Sequence, residues 1–431
     1  MKELNDNQIT QYKKTNRKLF ILYKILSNDL LFYYTISFVF LFNVKGLNIA
    51  QIVFAESFYP IFKLIFQIPC TVLIQKIGKR NSLIIANIGV SIYLFAVLTL
   101  TNYFALIWGN FFCALGFVIK GIAESNLLYD SLDNTEDKKE KFSKIEGAAS
   151  SAFYFTDAVT ALLTGFLYAL NPYLPISMSF VTILLAAIVC FKFHDIPSGK
   201  SNSEKILSAK EQLLDTYQGF KYIIKSSRLR ALILFNSLFV GLLILMLTLH
   251  KSILESVNVP SGYLGIIFAL MGIVISFSSS RSVSIHQKYR NKTLSIFGII
   301  LTLSIIITGV VTIFPIPKFL MYYLLLLMIT LNFVVKGPYY ILIKQYLNSF
   351  CDSNMRIKIY SANLFFEYIV TAAISMSCSF LLNYFANTVT TLIIGIVSTI
   401  IMLLLIKYMS SRVGLKPEEY SKTDIFFLDE E

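Results

Sequence analysis

Residues 231–249 read ALILFNSLFVGLLILMLTL, a run of nineteen residues without a charged side chain. At a rise of about 1.5 Å per residue, such a run forms a helix nearly as long as the roughly 30 Å hydrocarbon core of a bilayer. The rest of the chain has the same character, since 56% of its 431 residues are apolar and only 15% are charged. Soluble domains carry about 25% charged residues. The composition therefore excludes a water-soluble globular protein and indicates an all-α integral membrane protein.

Comparable apolar runs recur along the whole chain, separated by short turns that contain Gly, Pro or Asn. They predict twelve transmembrane helices, at approximately 28–44, 49–75, 82–101, 103–127, 147–170, 172–193, 229–251, 260–281, 293–314, 317–345, 357–383 and 386–408. There are two longer polar stretches. Residues 128–146 lie between the fourth and fifth spans, and residues 194–228 follow the sixth span. We therefore predict four regions: an N-terminal six-helix bundle (1–193), a cytoplasmic linker (194–228), a C-terminal six-helix bundle (229–408) and a cytoplasmic tail (409–431).

The linker contains a helical pattern of its own. Between Glu204 and Lys225, apolar side chains recur at the spacing of one helix face. This pattern favours an amphipathic helix lying on the membrane surface. A solvated linker helix is an equal alternative.

The distribution of basic residues predicts the orientation of the chain. With the N-terminus in the cytoplasm, 32 of the 38 Lys and Arg residues fall on the cytoplasmic side, three fall outside and three lie within spans. This asymmetry is the one that the positive-inside rule demands. Both termini are therefore expected in the cytoplasm. The net charge of +13 reflects topology and attraction to membrane lipids rather than binding of nucleic acid, because the basic residues are dispersed over many short loops.

The two halves of the chain repeat each other. Residues 117–121 read FVIKG and residues 333–337 read FVVKG, so that Lys120 and Lys336 lie 216 residues apart, about half the chain length. Asp157 and Glu367 follow in the next span of each half, 210 residues apart. Matches in the same order at a nearly constant offset indicate a duplication with both halves in the same orientation. Parallel repeats of six spans are one way in which secondary transporters are built.

The loop after the second span carries a recognisable motif. A known signature at this place has the form G-x-x-x-D-R-x-G-R-[KR], and this chain has Thr71, Gln75, Lys76, Gly78, Lys79 and Arg80 at its defined positions. Through this loop and the repeat, the whole chain resembles the bacterial twelve-span branch of the major facilitator superfamily. The resemblance implies a cytoplasmic gate at Gln75, Lys76, Gly78, Lys79 and Arg80, which Asp130 and Glu124 would meet when that side is closed. The signature's Asp is Gln75 here, and the glycine-proline signature of many drug–proton antiporters is missing from span five.

Seven ionisable residues fall inside the predicted spans: Glu56, Lys63, Lys120, Glu124, Asp157, Lys336 and Glu367. A charge at the bilayer centre costs about 2.5–3.5 kcal/mol even on the more lenient scale, so it seldom faces lipid. One interpretation is that these residues line a water-accessible cavity that binds substrate and protons. The alternative is that pairs such as Lys120 and Glu124, four residues apart, neutralise each other and fix helix packing.

Taken together, the sequence predicts a secondary transporter that moves a small molecule across the bacterial cytoplasmic membrane by alternating access. Proton coupling is expected because no nucleotide-binding motif is present, and the lysines suit an anionic or zwitterionic substrate. Export of a drug-like or amphipathic compound is the first hypothesis. Uptake of a small metabolite is the alternative, as is a non-transporting receptor or assembly partner with the same fold. We expect a monomer without cofactor or metal, and no enzyme, since no catalytic signature occurs and the five cysteines lack metal-site spacing.

Overall fold

The chain is almost entirely helical. The computed structural model describes residues 6–133, 135–196, 209–350 and 355–410, and no strand occurs in these ranges. The helices are α1 (Asp6–Ser27), α2 (Tyr33–Val39, continued by a π-helical turn over Phe40–Val44), α3 (Ile49–Ile77), α4 (Lys79–Thr99), α5 (Tyr103–Asp130), α6 (Lys138–Leu170), α7 (Leu174–Phe191), α8 (Ala209–Lys225), α9 (Ser227–Ser256), α10 (Ser261–Ser280), α11 (Ser282–Tyr289), α12 (Thr293–Ile313), α13 (Lys318–Ser349), α14 (Arg356–Leu382) and α15 (Asn387–Ser410).

Eleven of the described helices are long and apolar enough to cross a membrane: α3 to α7, α9, α10 and α12 to α15. Each corresponds to one of the predicted spans from the second to the twelfth. Several helices extend further than predicted, and α6 for example begins at Lys138 rather than near residue 147. The apolar run marks only the part of a helix that lies in hydrocarbon, whereas the hydrogen-bonded helix continues into the polar region.

The first predicted span is wrong in its bounds. Residues 28–32 are not helical, and the apolar helix that follows covers only Tyr33–Val44, about 18 Å at helical rise. The predicted first crossing, at about 30 Å, would have to include the break and the last turns of α1. At the break, Phe32 adopts a left-handed backbone conformation with φ of 66°, which is strained for a bulky residue.

The described chain divides into two compact units. Unit 1 comprises the described residues within 1–47, 62–212 and 260–269, and unit 2 comprises the described residues within 48–61, 213–259 and 270–431. The first part of α3 thus belongs to unit 2, where the hydroxyl of Ser379 on α14 donates to the carbonyl of Ala50 over 2.8 Å. The first part of α10 belongs to unit 1, where Gly262 on α10 meets Gly165 on α6 without room for a side chain.

Unit 1 is held together by closely packed helices. A Cβ atom on Gly116 of α5 would lie 2.6 Å from both the Ala86 carbonyl oxygen and a methyl group of Val90 on α4. Glycine thus lets the two backbones approach, which is the usual basis of helix association in membranes. The last turns of α1 are part of this unit's core, since Phe20 and Tyr23 are completely buried.

Unit 2 is built around α9. Of its most apolar eighteen residues, 78% are buried, more than in any other of the eleven long apolar helices. A helix that is apolar on all sides is expected in the interior of a bundle, and this explains why residues 231–249 contain no charge. Around it, α12 and α15 pack so closely that a Cβ atom on Gly309 would lie 2.8 Å from the backbone of Leu392.

The amphipathic helix predicted between residues 204 and 225 corresponds to α8, which runs from Ala209 to Lys225. The first part of the predicted linker, residues 197–208, and most of the predicted tail, residues 411–431, lie outside the described residues.

Candidate functional site

A buried polar cluster surrounds Glu367 in unit 2. The Glu367 carboxylate, on α14, accepts hydrogen bonds from the side-chain amides of Asn236 on α9, over 2.5 Å, and Asn363, over 2.6 Å. Asn363 lies one helical turn before Glu367, so both side chains share a face of α14. Tyr339 on α13 donates from its hydroxyl to the Asn236 side chain over 2.8 Å. Three helices thus orient one carboxylate, and no Lys, Arg or His of the described residues forms an ion pair with it.

Lys336 lies one turn before Tyr339 on the same helix, with its ammonium 5.6 Å from the centre of the Phe333 ring. Beside it, the side chains of Asn332 and His250 are 3.0 Å apart. Together with Phe333, the side chains of Lys336, Asn332 and His250 line a small cavity of about 10 Å³, close to the lower limit for one water molecule. The structure therefore places Lys336 next to a polar histidine–asparagine pair. Glu367, by contrast, receives its hydrogen bonds from amide side chains.

Unit 1 contains a buried ion cluster that differs from the predicted one. Glu124 pairs with Lys24 of α1 over 2.9 Å, and Lys24 also contacts Glu146 over 3.1 Å. Lys120 and Glu124, considered above as an alternative ion pair, interact electrostatically but do not form the direct ion pair. Instead, the Lys120 ammonium donates to the backbone carbonyl of Ser27 over 3.0 Å. This carbonyl is at the C-terminal end of α1, where the helix dipole favours a cation.

The break after α1 brings further charges together. Asp29 lies in the break, accepts a hydrogen bond from the backbone of Leu30 over 2.9 Å, and interacts electrostatically with Lys63, Lys120 and Asp157. From its position near a span end, Asp29 is expected at the membrane interface, and the structure instead places it among these in-span charges. Discontinuous membrane helices are a recurrent way to present backbone groups and charges to a substrate.

Glu56 and Lys63 lie seven residues apart on α3, and the sequence places them on one helix face. Glu56 belongs to unit 2, where it accepts a hydrogen bond from Thr248 over 2.6 Å and interacts electrostatically with Lys251. Lys63 belongs to unit 1.

The loop between α3 and α4 forms a compact polar cluster. The Lys79 ammonium forms an ion pair with Asp130 at the end of α5, while Gln75 and Lys76 are exposed. The carboxylate of Asp195 accepts hydrogen bonds from the backbone amides of Lys79 and Arg80, over 2.9 and 3.0 Å. It thus caps the N-terminus of α4, where a negative charge is favourable.

Two ionisable groups on this side of unit 1, His194 and Asp133, have lowered pKa values. His194 stacks on Tyr12 with 3.8 Å between ring centres, and burial, together with the charge of Arg80, lowers the pKa of His194. The hydrogen bond from Lys13 lowers the pKa of Asp133. Both contacts attach the N-terminal helix α1 to the loops on this side of unit 1.

These features can be compared with known proteins. The family model of the Major Facilitator Superfamily matches residues 19–376. The chain belongs to the major facilitator superfamily. Among solved structures, it is similar to a point mutant of the nucleoside transporter NupG, with a TM-score of 0.72 and 13% identity over 92% of this chain and 99% of that one. It is also similar to a D-xylose–proton symporter, with a TM-score of 0.60 and 12% identity over 95% and 99%. Among curated protein sequences, none matches the chain significantly.

The resemblance predicted from the loop motif and the repeat is thereby confirmed, and the chain is a multi-pass membrane protein with a transporter fold. A third similar structure is a bacterial homologue of the human lysosomal transporter Spinster, with a TM-score of 0.63 and 12% identity over 97% of this chain and 98% of that one. At this level of identity the comparisons establish the fold.

Several residues of the clusters in this major facilitator chain were missed by sequence reasoning. Lys24 belongs to a basic N-terminal segment, but it stands inside the apolar stretch LFILYKIL at residues 19–26. That apolar setting is the signal that could have singled it out from the other lysines. Asn236 carries a clearer signal, because it is the only carboxamide in the apolar run 231–249. A lone amide in such a run requires a partner, since an unsatisfied polar group in hydrocarbon is costly. Asn363 could also have been identified from the sequence, because a polar residue one helical turn before Glu367 shares its helix face.

Proposed function

We propose that this protein is a proton-coupled secondary transporter of a small molecule, in which Glu367 is the proton-binding carboxyl group. The observation that carries the proposal is the cluster of Asn236, Asn363 and Tyr339 around that carboxylate. Two amide donors stabilise its charged form, but they carry no compensating charge. The net charge of the site therefore changes by one unit each time a proton binds or leaves.

The change in net charge at Glu367 links proton binding to the side of the membrane from which water can reach the site. A carboxylate held by amides is tolerated while water reaches it, and it becomes costly once the surroundings dehydrate. Binding of a proton removes that cost and permits the conformational change that closes the site to one side. Opening to the other side restores water and releases the proton.

We assign substrate recognition in unit 1 to the break after α1. Lys63 and Lys120 supply two cationic groups there, while Asp29 and Asp157 supply two acidic ones. Such a set suits a zwitterionic or anionic small molecule. The proposal places the protein in a bacterial cytoplasmic membrane, with both termini in the cytoplasm, acting as a monomer. The ion pair between Lys79 and Asp130 would hold the cytoplasmic gate closed despite the replacement at Gln75.

A growth assay tests the proposal with a broad range of candidate substrates. An efflux-deficient bacterium expressing the protein would be exposed to a panel of antibiotics, dyes and toxic metabolite analogues. Resistance to a compound would show export, our first hypothesis, and increased sensitivity would show uptake. Either phenotype should disappear in Glu367→Gln and persist in the control Glu136→Gln, whose carboxylate is in an exposed loop.

The responding compound would then be used in proteoliposomes containing a pH-sensitive dye. We expect the wild type to move protons together with the compound, and Glu367→Gln to lose this coupling while still exchanging compound across the bilayer. Unchanged proton movement in Glu367→Gln would refute the assignment of the proton site. A wild type that moves neither protons nor any compound of the panel would favour the receptor hypothesis.

A further inference from the structure

Helix α8 has one face firmly attached to unit 2. On this face Ile223 is 1% exposed and belongs to the core of the unit. Asp215 forms an ion pair with Lys358 of α14 over 2.9 Å, and Gly219 packs directly against the backbone of the same residue. The helix is therefore held against unit 2 from Asp215 to Ile223.

The contacts also place α8 beside the beginning of α14. Lys358 lies in the first turn of α14, Arg356–Leu382, one of the helices that are long and apolar enough to cross a membrane. The ring of Phe220 lies 4.9 Å from that of Phe365 and 5.2 Å from that of Phe366, two turns further along, or about 11 Å at helical rise. A helix with these contacts lies beside the end of a crossing helix, at the level of the lipid headgroups, which add about 5–8 Å on each side of the hydrocarbon core.

The opposite face of α8 is apolar and basic. Its large apolar side chains, each more than half exposed, are Leu213, Leu214, Tyr217 and Ile224. Helical spacing places three exposed lysines among them: Lys210, Lys221 and Lys225. The acidic residues Glu211 and Asp215 fall on the other side of the helix. Exposed apolar side chains interleaved with lysines are typical of helices that lie in the membrane interface.

We propose that this face of α8 binds an anionic lipid surface. The four apolar side chains enter the boundary between headgroups and acyl chains, and the three lysines contact lipid phosphates. The proposal follows from the position of the helix and from the charge of its exposed face, and it is independent of whether the protein carries protons or a particular substrate.

The single tryptophan of the chain makes a direct test possible. In a variant with Trp108→Phe and Tyr217→Trp, the new indole reports only on α8. The protein would be placed in nanodiscs that contain lipids brominated on the upper part of the acyl chain, and acrylamide would serve as the aqueous quencher. We expect strong quenching by brominated lipid and weak quenching by acrylamide. Strong acrylamide quenching with no effect of brominated lipid would overturn the proposal, and so would protection from both quenchers, which would mean that protein covers the face.

The lipid preference is tested in mixed nanodiscs in which either the anionic or the zwitterionic lipid is brominated. We expect about five-fold or greater enrichment of the anionic lipid beside the indole, as lysines near the headgroups require. Replacing Lys210, Lys221 and Lys225 by Gln should abolish this enrichment and leave the quenching by total lipid in place. The matched control, Lys288, Arg290 and Lys292 replaced by Gln, removes the same charge from the end of α11 and the turn that follows it, and should retain the enrichment. Equal enrichment in the two triple variants would overturn the role of the α8 lysines.

Discussion

Replacing Lys24 by Met should destabilise the protein strongly, because Lys24 is the cation between two carboxylates. It lies 2.9 Å from Glu124 and 3.1 Å from Glu146, and the residues Lys24 and Glu124 are only 9% and 5% exposed. Removal of one partner from a buried ion pair costs about 3–5 kcal/mol, since it leaves an uncompensated charge. For a large chain, about 2 °C of melting temperature per kcal/mol gives an expected decrease of roughly 6–10 °C.

The assay is thermal unfolding of the purified protein in detergent, followed by intrinsic fluorescence. The control is Lys18→Met, which removes an exposed lysine from the same helix and should shift the melting temperature by less than about 1 °C. The double variant Lys24→Met and Glu124→Gln should recover half or more of the lost melting temperature, because it no longer contains the buried, unpaired Glu124 carboxylate. The other carboxylate, Glu146, is partly exposed and can be hydrated. A Lys24→Met protein that melts within about 2 °C of the wild type, or a double variant that is less stable than Lys24→Met, would refute the reasoning.

Three further outcomes are expected from the same measurement. Gly116→Ala should lower the melting temperature, because overpacking between α4 and α5 costs about 1–3 kcal/mol of the free energy of unfolding. Gly121→Ala on the same helix places its added Cβ where no atom lies within 4 Å, so it should leave the melting temperature unchanged or raise it. A loss in both, or in neither, contradicts the close approach of α4 and α5. Since the pKa of His194 is lowered in the folded protein, the stability linked to it is complete above about pH 6.5 and is lost as the pH falls. His194→Phe should therefore show a smaller decrease in melting temperature between pH 7.5 and 5, and an equal decrease would exclude this linkage. Asp195→Ala removes the N-terminal cap of α4 and should lower the free energy of unfolding by about 1 kcal/mol, more than Asp195→Asn. Equal melting temperatures of the wild type and both variants would show that the cap contributes nothing.

The crossing helices could be predicted because hydrocarbon imposes a simple rule. A segment such as residues 231–249 has no alternative to a helix that satisfies its own backbone. The family resemblance also rested on local sequence, in the turn that contains Gly78. Its φ of 85° is readily adopted by glycine.

The break after α1 could not be predicted in the same way. The sequence around it contains no Pro or Gly, and the residue with positive φ is Phe32, an unusual choice for that conformation. What permits the break is tertiary structure: its carbonyl groups are satisfied by side chains from distant helices, such as Lys120 at Ser27 and Ser179 at Leu31. The same holds for the partners of the charges, since Glu124 lies near Lys120 in sequence but pairs with Lys24, a hundred residues away.

The broken first helix also has a consequence for the biosynthesis of the protein. Lys24 and Asp29 each oppose insertion by about 2.5–3.5 kcal/mol at the centre of a span, and the apolar part that follows is only twelve residues long. Glu124, which pairs with Lys24, is on α5 and leaves the ribosome a hundred residues later. The first segment to be synthesised is therefore among the last to settle, and nascent chains that end before Glu124 should hold it in the membrane far less securely than longer ones.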